Sequence, residues 1–243
     1  MIKLYADGAD MDGIIAAAND PAISGFTTNP TLMRAAGITD YEKFAKHVIK
    51  YLSEKRPETN LSLEVFADEP KEMMRQARLI DSWGEQHDYP VYVKIPVMHT
   101  GGLSTAPIIN QLSAEGIRVN VTAVFTTKQI DETLDALVRT TPSIISVFAG
   151  RIADTGYDPH NIITRGILYY DSIKTVEDKV EFLWASSREA FNYVQAQNCC
   201  CDIITMTPDL IKKIKGFGKN LTNFSQETCQ MFYNDALKSG YSI

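Results

Sequence analysis

A lysine sits in the middle of Val91-Tyr92-Val93-Lys94-Ile95-Pro96-Val97, a β-branched and aromatic run of the kind that forms a buried strand. An ammonium group there must find a partner, reach water along its own stem, or give up its proton. Burial favours the neutral amine, and a neutral amine attacks ketones to form Schiff bases. Taken alone, the segment reads more plainly as a strand-end lysine with its head in solvent. The chemistry therefore depends on which other side chains share its face. Asp7, Asn29, Glu64, Asn120, Thr122 and Ser186 are the polar residues that close other short apolar runs, and they could serve as acid/base groups and hydrogen-bonding partners.

Eight such runs are candidate strands: 2–7, 25–29, 61–66, 91–96, 118–124, 143–149, 180–186 and 201–207. Amphipathic stretches lie between them, at 40–56, 69–87 and 127–138, and a further helix at 221–238 follows the last run. Strands alternating with helices predict a parallel sheet, and eight of them predict a closed (β/α)₈ TIM barrel with an additional C-terminal helix. An open doubly wound sheet is the alternative. No G-x-G-x-x-G follows the first strand and no Walker motif is present, so nucleotide binding has no support. With no linker rich in Pro, Gly or Ser, residues 1–243 read as one domain, with about 220–243 as a helical arm.

Alternation along a strand separates its two faces. Lys94 pairs with Tyr92 against Val91, Val93 and Ile95; Asn120 and Thr122 oppose Val119, Val121 and Ala123. Ser62 and Glu64 oppose Leu63 and Val65, while Lys3, Tyr5 and Asp7 oppose Ile2, Leu4 and Ala6. Gly25, Thr27 and Asn29 fall together, and Trp184 falls with Ser186 against Leu183 and Ala185. Turning the apolar faces toward the helices sends Asp7, Asn29, Glu64, Lys94, Asn120, Thr122 and Ser186 inward. Most lie near the C-terminal ends of their strands, where barrel active sites are built.

The chain has 243 residues and a net charge of −6, which argues against a general nucleic-acid partner but not against a small anionic substrate held by one or two cations. No apolar run reaches membrane-spanning length, and no signal peptide is read ahead of the first strand. Cys199, Cys200 and Cys201 are consecutive, a poor arrangement for disulfides and for zinc, and read as small apolar residues entering a buried strand. A cytoplasmic location is the expectation. The four histidines have no metal-ligand spacing, and no metal site or cofactor is expected.

Several segments together resemble the transaldolases, especially the short bacterial branch that includes fructose-6-phosphate aldolases. They are Gly25-Phe26-Thr27-Thr28-Asn29-Pro30-Thr31-Leu32, Val93-Lys94-Ile95-Pro96-Val97, Ala114-Glu115-Gly116-Ile117 leading to Asn120-Val121-Thr122, Ser146-Val147-Phe148-Ala149-Gly150-Arg151-Ile152, and Ala185-Ser186-Ser187-Arg188. The resemblance covers about residues 2–215. It implies a (β/α)₈ barrel with class I chemistry, in which Lys94 matches the Schiff-base lysine and Asp7 the acid/base aspartate. Glu64 and Thr122 match the pair that holds a catalytic water. Asn29 and Asn120 match asparagines that bind donor hydroxyls, and Thr27, Ser146 and Phe148 are further substrate-binding positions. Arg151, Ser186 and Arg188 match the set that holds a phosphate.

The resemblance also implies a choice of reaction. The similar aldolases carry glutamine where this chain has Glu64, and tyrosine where it has Phe148. The missing phenol removes a group that helps protonate and release the enamine, so both positions favour transfer to an acceptor over simple cleavage. The expected partners are a ketose phosphate, or a relative with a sulfonate tail, and an aldehyde acceptor. Short members of the family form rings, which implies a homo-oligomer such as a pentamer or decamer.

Overall fold

The computed structural model describes residues 2–242. Its strands are β1 (Lys3–Asp7), β2 (Ile23–Thr27), β3 (Leu61–Glu64), β4 (Val91–Pro96), β5 (Val119–Val124), β6 (Ser143–Val147), β7 (Val180–Trp184) and β8 (Ile203–Met206). All neighbours pair in parallel, and β8 returns to β1, so the sheet closes into an eight-stranded barrel. The expected barrel is observed, and the open sheet is excluded by the β1–β8 pairing.

Helices fill the connections: α1 (Met11–Ala18), α2 (Pro30–Ala35), α3 (Tyr41–Lys55), α4 (Pro70–Glu85), α5 (Ala106–Ala114), α6 (Thr127–Ala136), α7 (Ala149–Ala153), α8 (Pro159–Ile173), α9 (Asn192–Asn198) and α10 (Pro208–Ile214). Their starts follow from local chemistry. Asp40 caps α3 by accepting the Lys43 N–H, and Thr126 with Gln129 forms a reciprocal capping box on α6. Asn29 caps α2 by accepting the Leu32 N–H, and Pro30 suits the first turn, where no N–H is needed. The final helix, α11 (Leu221–Ser239), has no buried residue, and Leu221, Phe224, Met231, Phe232 and Leu237 are exposed along it. No helix among the described residues is long and apolar enough to cross a membrane.

The core has two parts. The larger lies between barrel and helices and takes the outward set, including Leu63, Val93, Ile95, Val121, Val147 and Trp184. Fully burying side chains of this kind is worth about 1.5–3 kcal/mol each. The smaller fills the barrel axis with Tyr5, Tyr92, Ile144, Leu183, Ala185 and Ile203. Gly25 makes room for one of them: a Cβ there would lie 2.5 Å from the Tyr5 ring. Cys199 and Cys201 join the outer core while Cys200 is exposed, so two of the three behave as small apolar residues.

One strand reverses the expected alternation. In β7 it is Leu183 and Ala185 that join the axial cluster, whereas Phe182 and Trp184 pack under the helices. Beyond Glu181, which pairs with Lys3, both faces of β7 are apolar because both are covered, so alternation carried no polarity signal at the end that meets the cleft.

Candidate active site

The polar inward residues gather at the C-terminal ends of the strands around a cleft of about 470 Å³. Asp7, Thr27, Asn29, Glu64, Lys94, Thr122, Ser146, Phe148, Arg151, Ser186 and Arg188 all line it. Asn120 does not. It lies under the floor, fully buried, donating its amide to Ser62 Oγ at 3.1 Å and accepting from Ser146 Oγ at 2.6 Å. In this state its polar groups are committed to protein, so it shapes the floor through Ser146.

Lys94 is 6 % exposed. Its ammonium lies 2.9 Å from Glu64 Oε2 and donates to the Thr28 carbonyl at 2.9 Å. The lysine thus neither reaches bulk solvent nor stands unpaired. The β3–β4 register, which sets Glu64 beside Lys94, builds the ion pair directly into the sheet. Asp7, from β1, accepts the Thr27 hydroxyl at 2.7 Å. Burial pushes the Asp7 carboxyl above the usual aspartate range; the Lys94 ammonium and the Thr27 hydroxyl pull it back, and Glu64 adds to the rise. A carboxyl that resists ionisation beside a buried amine is suited to exchanging protons with a substrate.

Two departures from regular strand geometry shape the rim. β5 slips register against β6 between Val121 and Val124, and Ala123 adopts a left-handed φ of 57°. Thr122 and Ala123 therefore both face the cleft, and the buried Thr122 hydroxyl has no protein partner, leaving it free for substrate or water. Beyond β7, Ser186 also turns left-handed, with φ 63°. That turn, rather than the strand alternation invoked for it, brings Ser186 to the cleft. Gly150 is required here, because a Cβ at that position would collide with the Ser186 carbonyl oxygen.

The cationic rim comes from two loops. Arg151, on α7, stacks its guanidinium over the Phe148 ring at 5.5 Å, and Phe148 packs against Phe125. Arg188 follows β7, where Asn192 Oδ1 accepts its backbone N–H at 2.7 Å. Its guanidinium donates to Asp154 Oδ2 from Nη2 at 2.7 Å and from Nε at 3.1 Å. Arginine forks of this type match phosphate oxygens. The sequence reading missed Asp154, Asn192, Thr28 and Thr205. Thr205 had a usable signal, since Ile203 and Thr205 alternate with Ile204 and Met206 in β8. Among the described residues, no cluster of three or more His, Cys, Asp or Glu side chains is arranged to hold a metal ion.

Comparison with known proteins identifies the site's lineage. The transaldolase/fructose-6-phosphate aldolase family matches residues 4–242. The chain belongs to that family. It is 33% identical over 205 residues to a probable transaldolase of Dehalococcoides mccartyi, covering 84% of this chain and 86% of the relative. A probable transaldolase of Sphingopyxis alaskensis is 28% identical over 244 residues, with 100% of both chains covered. One from Streptococcus equi subsp. zooepidemicus is 33% identical over 215 residues, covering 88% of this chain and 90% of its own. A solved structure described as native KDPGal shares the fold, with a TM-score of 0.55, 12% identity, and coverage of 98% of this chain and 96% of that one. Family membership makes this chain an enzyme of the transferase/aldolase type.

Proposed function

We propose that the chain is a class I transaldolase, moving a dihydroxyacetone unit from a ketose phosphate such as fructose 6-phosphate or sedoheptulose 7-phosphate to an aldose phosphate. The observation that carries this reading is the buried Lys94 amine on Glu64, in a cleft that it shares with Asp7. Lys94 first gives a proton to Glu64; its neutral Nζ then attacks the C2 carbonyl, and a proton passes from nitrogen to oxygen to give a carbinolamine. Glu64 and the free Thr122 hydroxyl, with a water between them, shuttle the proton that lets the carbinolamine lose water to the iminium. Asp7 then takes the C4 hydroxyl proton, the C3–C4 bond breaks, and its electron pair flows into the iminium to leave an enamine. The first aldehyde departs, and the enamine carbon attacks the second as Asp7 returns the proton, which regenerates the iminium. Water then adds to C2 by the reverse of the first steps, the C2–nitrogen bond breaks, and the new ketose leaves with Lys94 restored.

Arg151, Arg188 and Ser186 hold the anionic tail, which a sulfonate could replace, and Asn29 with Ser146 bonds the donor hydroxyls. The route requires no metal or cofactor. Phe148 offers no hydroxyl to protonate the enamine, which favours transfer over a fructose-6-phosphate-aldolase-like cleavage without a sugar acceptor. On this reading the enzyme works in cytoplasmic carbohydrate metabolism, at the transaldolase step of the pentose phosphate pathway. We also propose that α11, exposed along its whole length, packs on a neighbouring copy in a ring-shaped homo-oligomer.

Borohydride reduction during incubation with a ketose phosphate tests the chemistry. The wild type should gain the mass of the reduced donor adduct and Lys94→Ala should not. No wild-type adduct, or an adduct on Lys94→Ala, would sink the Schiff-base reading. Donor consumption should also depend on an acceptor aldehyde; equal rates with and without one would reject transfer in favour of cleavage.

A further inference from the structure

Behind Asp7 runs a short chain of hydroxyls that the reaction steps above do not use. Thr27 Oγ1 donates to Asp7 Oδ1 at 2.7 Å, and Thr205 Oγ1 lies 2.5 Å from Thr27 Oγ1. Thr27 and Thr205 are both buried, at 3 % and 5 % exposure. A threonine hydroxyl carries a single proton, and an ionised carboxylate can only accept. While Asp7 is ionised, the Thr27 proton is committed to it, so the contact between the hydroxyls must be made by the Thr205 proton. The direction of the chain is fixed: Thr205 to Thr27 to Asp7. Once Asp7 has gained a proton it becomes a donor, and the chain can reverse, with the Thr205 O–H turning toward the cleft that it lines. β8 is tied to the rim nearby, because Ser187 Oγ donates to the Thr205 carbonyl at 2.9 Å.

We propose that Thr205 is a positioning residue for the acid/base carboxylate, holding Thr27 as an obligate donor to ionised Asp7 and receiving the reversed bond when Asp7 is protonated. The inference rests on Asp7 as the acid/base group of the proposed reaction. Hydrogen-bond chains polarise one another in a low-dielectric interior, so a donor one link away stabilises the carboxylate at the end. The charged groups facing Asp7 are the Lys94 ammonium from β4 and the Glu64 carboxylate from β3, and neither touches Thr205. Removing the Thr205 hydroxyl therefore alters the chain without altering those charges. A threonine that merely filled the barrel axis would be replaced by valine with no effect on Asp7.

The test compares Thr205→Val, Thr205→Ala and Thr205→Ser with wild type, using the pH profile of donor turnover and the ¹³C titration of the Asp7 carboxyl. Thr205→Val and Thr205→Ala should lower kcat roughly three- to tenfold with KM within about twofold. Both should move the acid limb and the Asp7 titration upward, and Thr205→Ser should restore both. An Asp7 titration unmoved in Thr205→Val and Thr205→Ala overturns the proposal, as does equal loss in the valine and serine variants. Because the carboxyl titration needs no turnover, it judges Thr205 even if borohydride finds no adduct, a result that would instead reject the reaction assigned to the site.

Discussion

The Lys94–Glu64 pair permits a quantitative test of how the cleft holds its amine. At 2.9 Å and an effective dielectric of about 20, the gross attraction between unit charges is about 6 kcal/mol. Desolvation offsets much of that, and the side chains are 7 % and 18 % exposed. The pair therefore belongs near the lower end of buried pairs, where removing one partner costs about 3–5 kcal/mol, and well above exposed pairs at about 1 kcal/mol or less. Glu64→Gln leaves the ammonium with neutral acceptors only, the Thr28 carbonyl and the new amide oxygen, and should cost about 2–3 kcal/mol for the lost counter-charge. For a chain of this size that is a fall of roughly 4–12 °C in Tm. Lys94→Met leaves a carboxylate that water in the cleft can solvate, so its cost should be smaller, about 1–2 kcal/mol. The double variant Lys94→Met/Glu64→Gln buries no unmatched charge and should regain most of the loss. Urea melts of all four proteins at neutral pH give the coupling energy, expected to be about 3 kcal/mol, because the single losses sum to about 4 and the double variant should keep only about 1 of it. Additivity within about 0.5 kcal/mol would show that the two groups do not sense each other, and would refute the pairing as the source of the lysine's burial.

Phe148→Tyr should gain acceptor-independent donor cleavage, measured as aldehyde release without acceptor; no gain would count against the role given to the missing phenol. Asp7→Asn should abolish most turnover, by about 10²–10⁴, while raising Tm at pH 7. The sign follows from the raised Asp7 pKa: a carboxyl harder to ionise in the fold than in the unfolded chain favours the fold when protonated and loses that contribution as pH rises through its folded pKa. The gain in Tm should accordingly shrink at acid pH, and a Tm that falls at pH 7 would contradict the sign. Gly150→Ala forces a Cβ into the Ser186 carbonyl, so it should cost about 1–3 kcal/mol and raise KM for phosphorylated donors more than it lowers kcat. A KM that stays unchanged would detach the Gly150–Ser186 contact from tail binding.

What could be read in advance was whatever periodicity encodes. Glu64 and Asp7 each end a strand and Lys94 lies within one, all three on strands with one apolar face, so alternation pointed them inward before any contact was known. The same logic failed on β7, where Phe182 and Trp184 cover one face and Leu183 and Ala185 the other. Polarity cannot orient the C-terminal end of a strand that is apolar there on both sides, and Glu181, the polar residue of β7, lies at its other end. Backbone irregularities were also invisible: the left-handed turns at Ala123 and Ser186 break the period-two rule at the positions where the rim is formed. Main-chain partners leave no trace in side-chain spacing, so the Thr28 carbonyl that accepts from Lys94 could not be anticipated. Nor could the Arg188–Asp154 pair, which joins two rim segments 34 positions apart. Asn120 marks a different limit, since alternation gave its face correctly but not its depth beneath the cleft.

The axial cluster below the site explains why the lysine's environment is one-sided. Tyr5, Tyr92, Ile144, Leu183 and Ile203 fill the barrel below the polar layer, and the Tyr5 hydroxyl accepts the Asn60 amide at 2.6 Å. Burial pushes the Tyr92 phenol up to about 12 and the Tyr5 phenol higher still, so this layer remains uncharged across the range in which the enzyme would work. An uncharged, packed layer screens poorly, which strengthens the influence of Glu64 and Asp7 on the amine from within the barrel. Substrate and water can then approach Lys94 only from the C-terminal ends of the strands, where Thr122, Ser146 and the arginines stand. β1, β4, β6 and β8 therefore have two jobs along one inward face: an apolar residue low on the axis (Tyr5, Tyr92, Ile144, Ile203) and a polar residue one alternation higher that lines the cleft (Asp7, Lys94, Ser146, Thr205). Tyr92 and Lys94 on β4 show the arrangement in two residues.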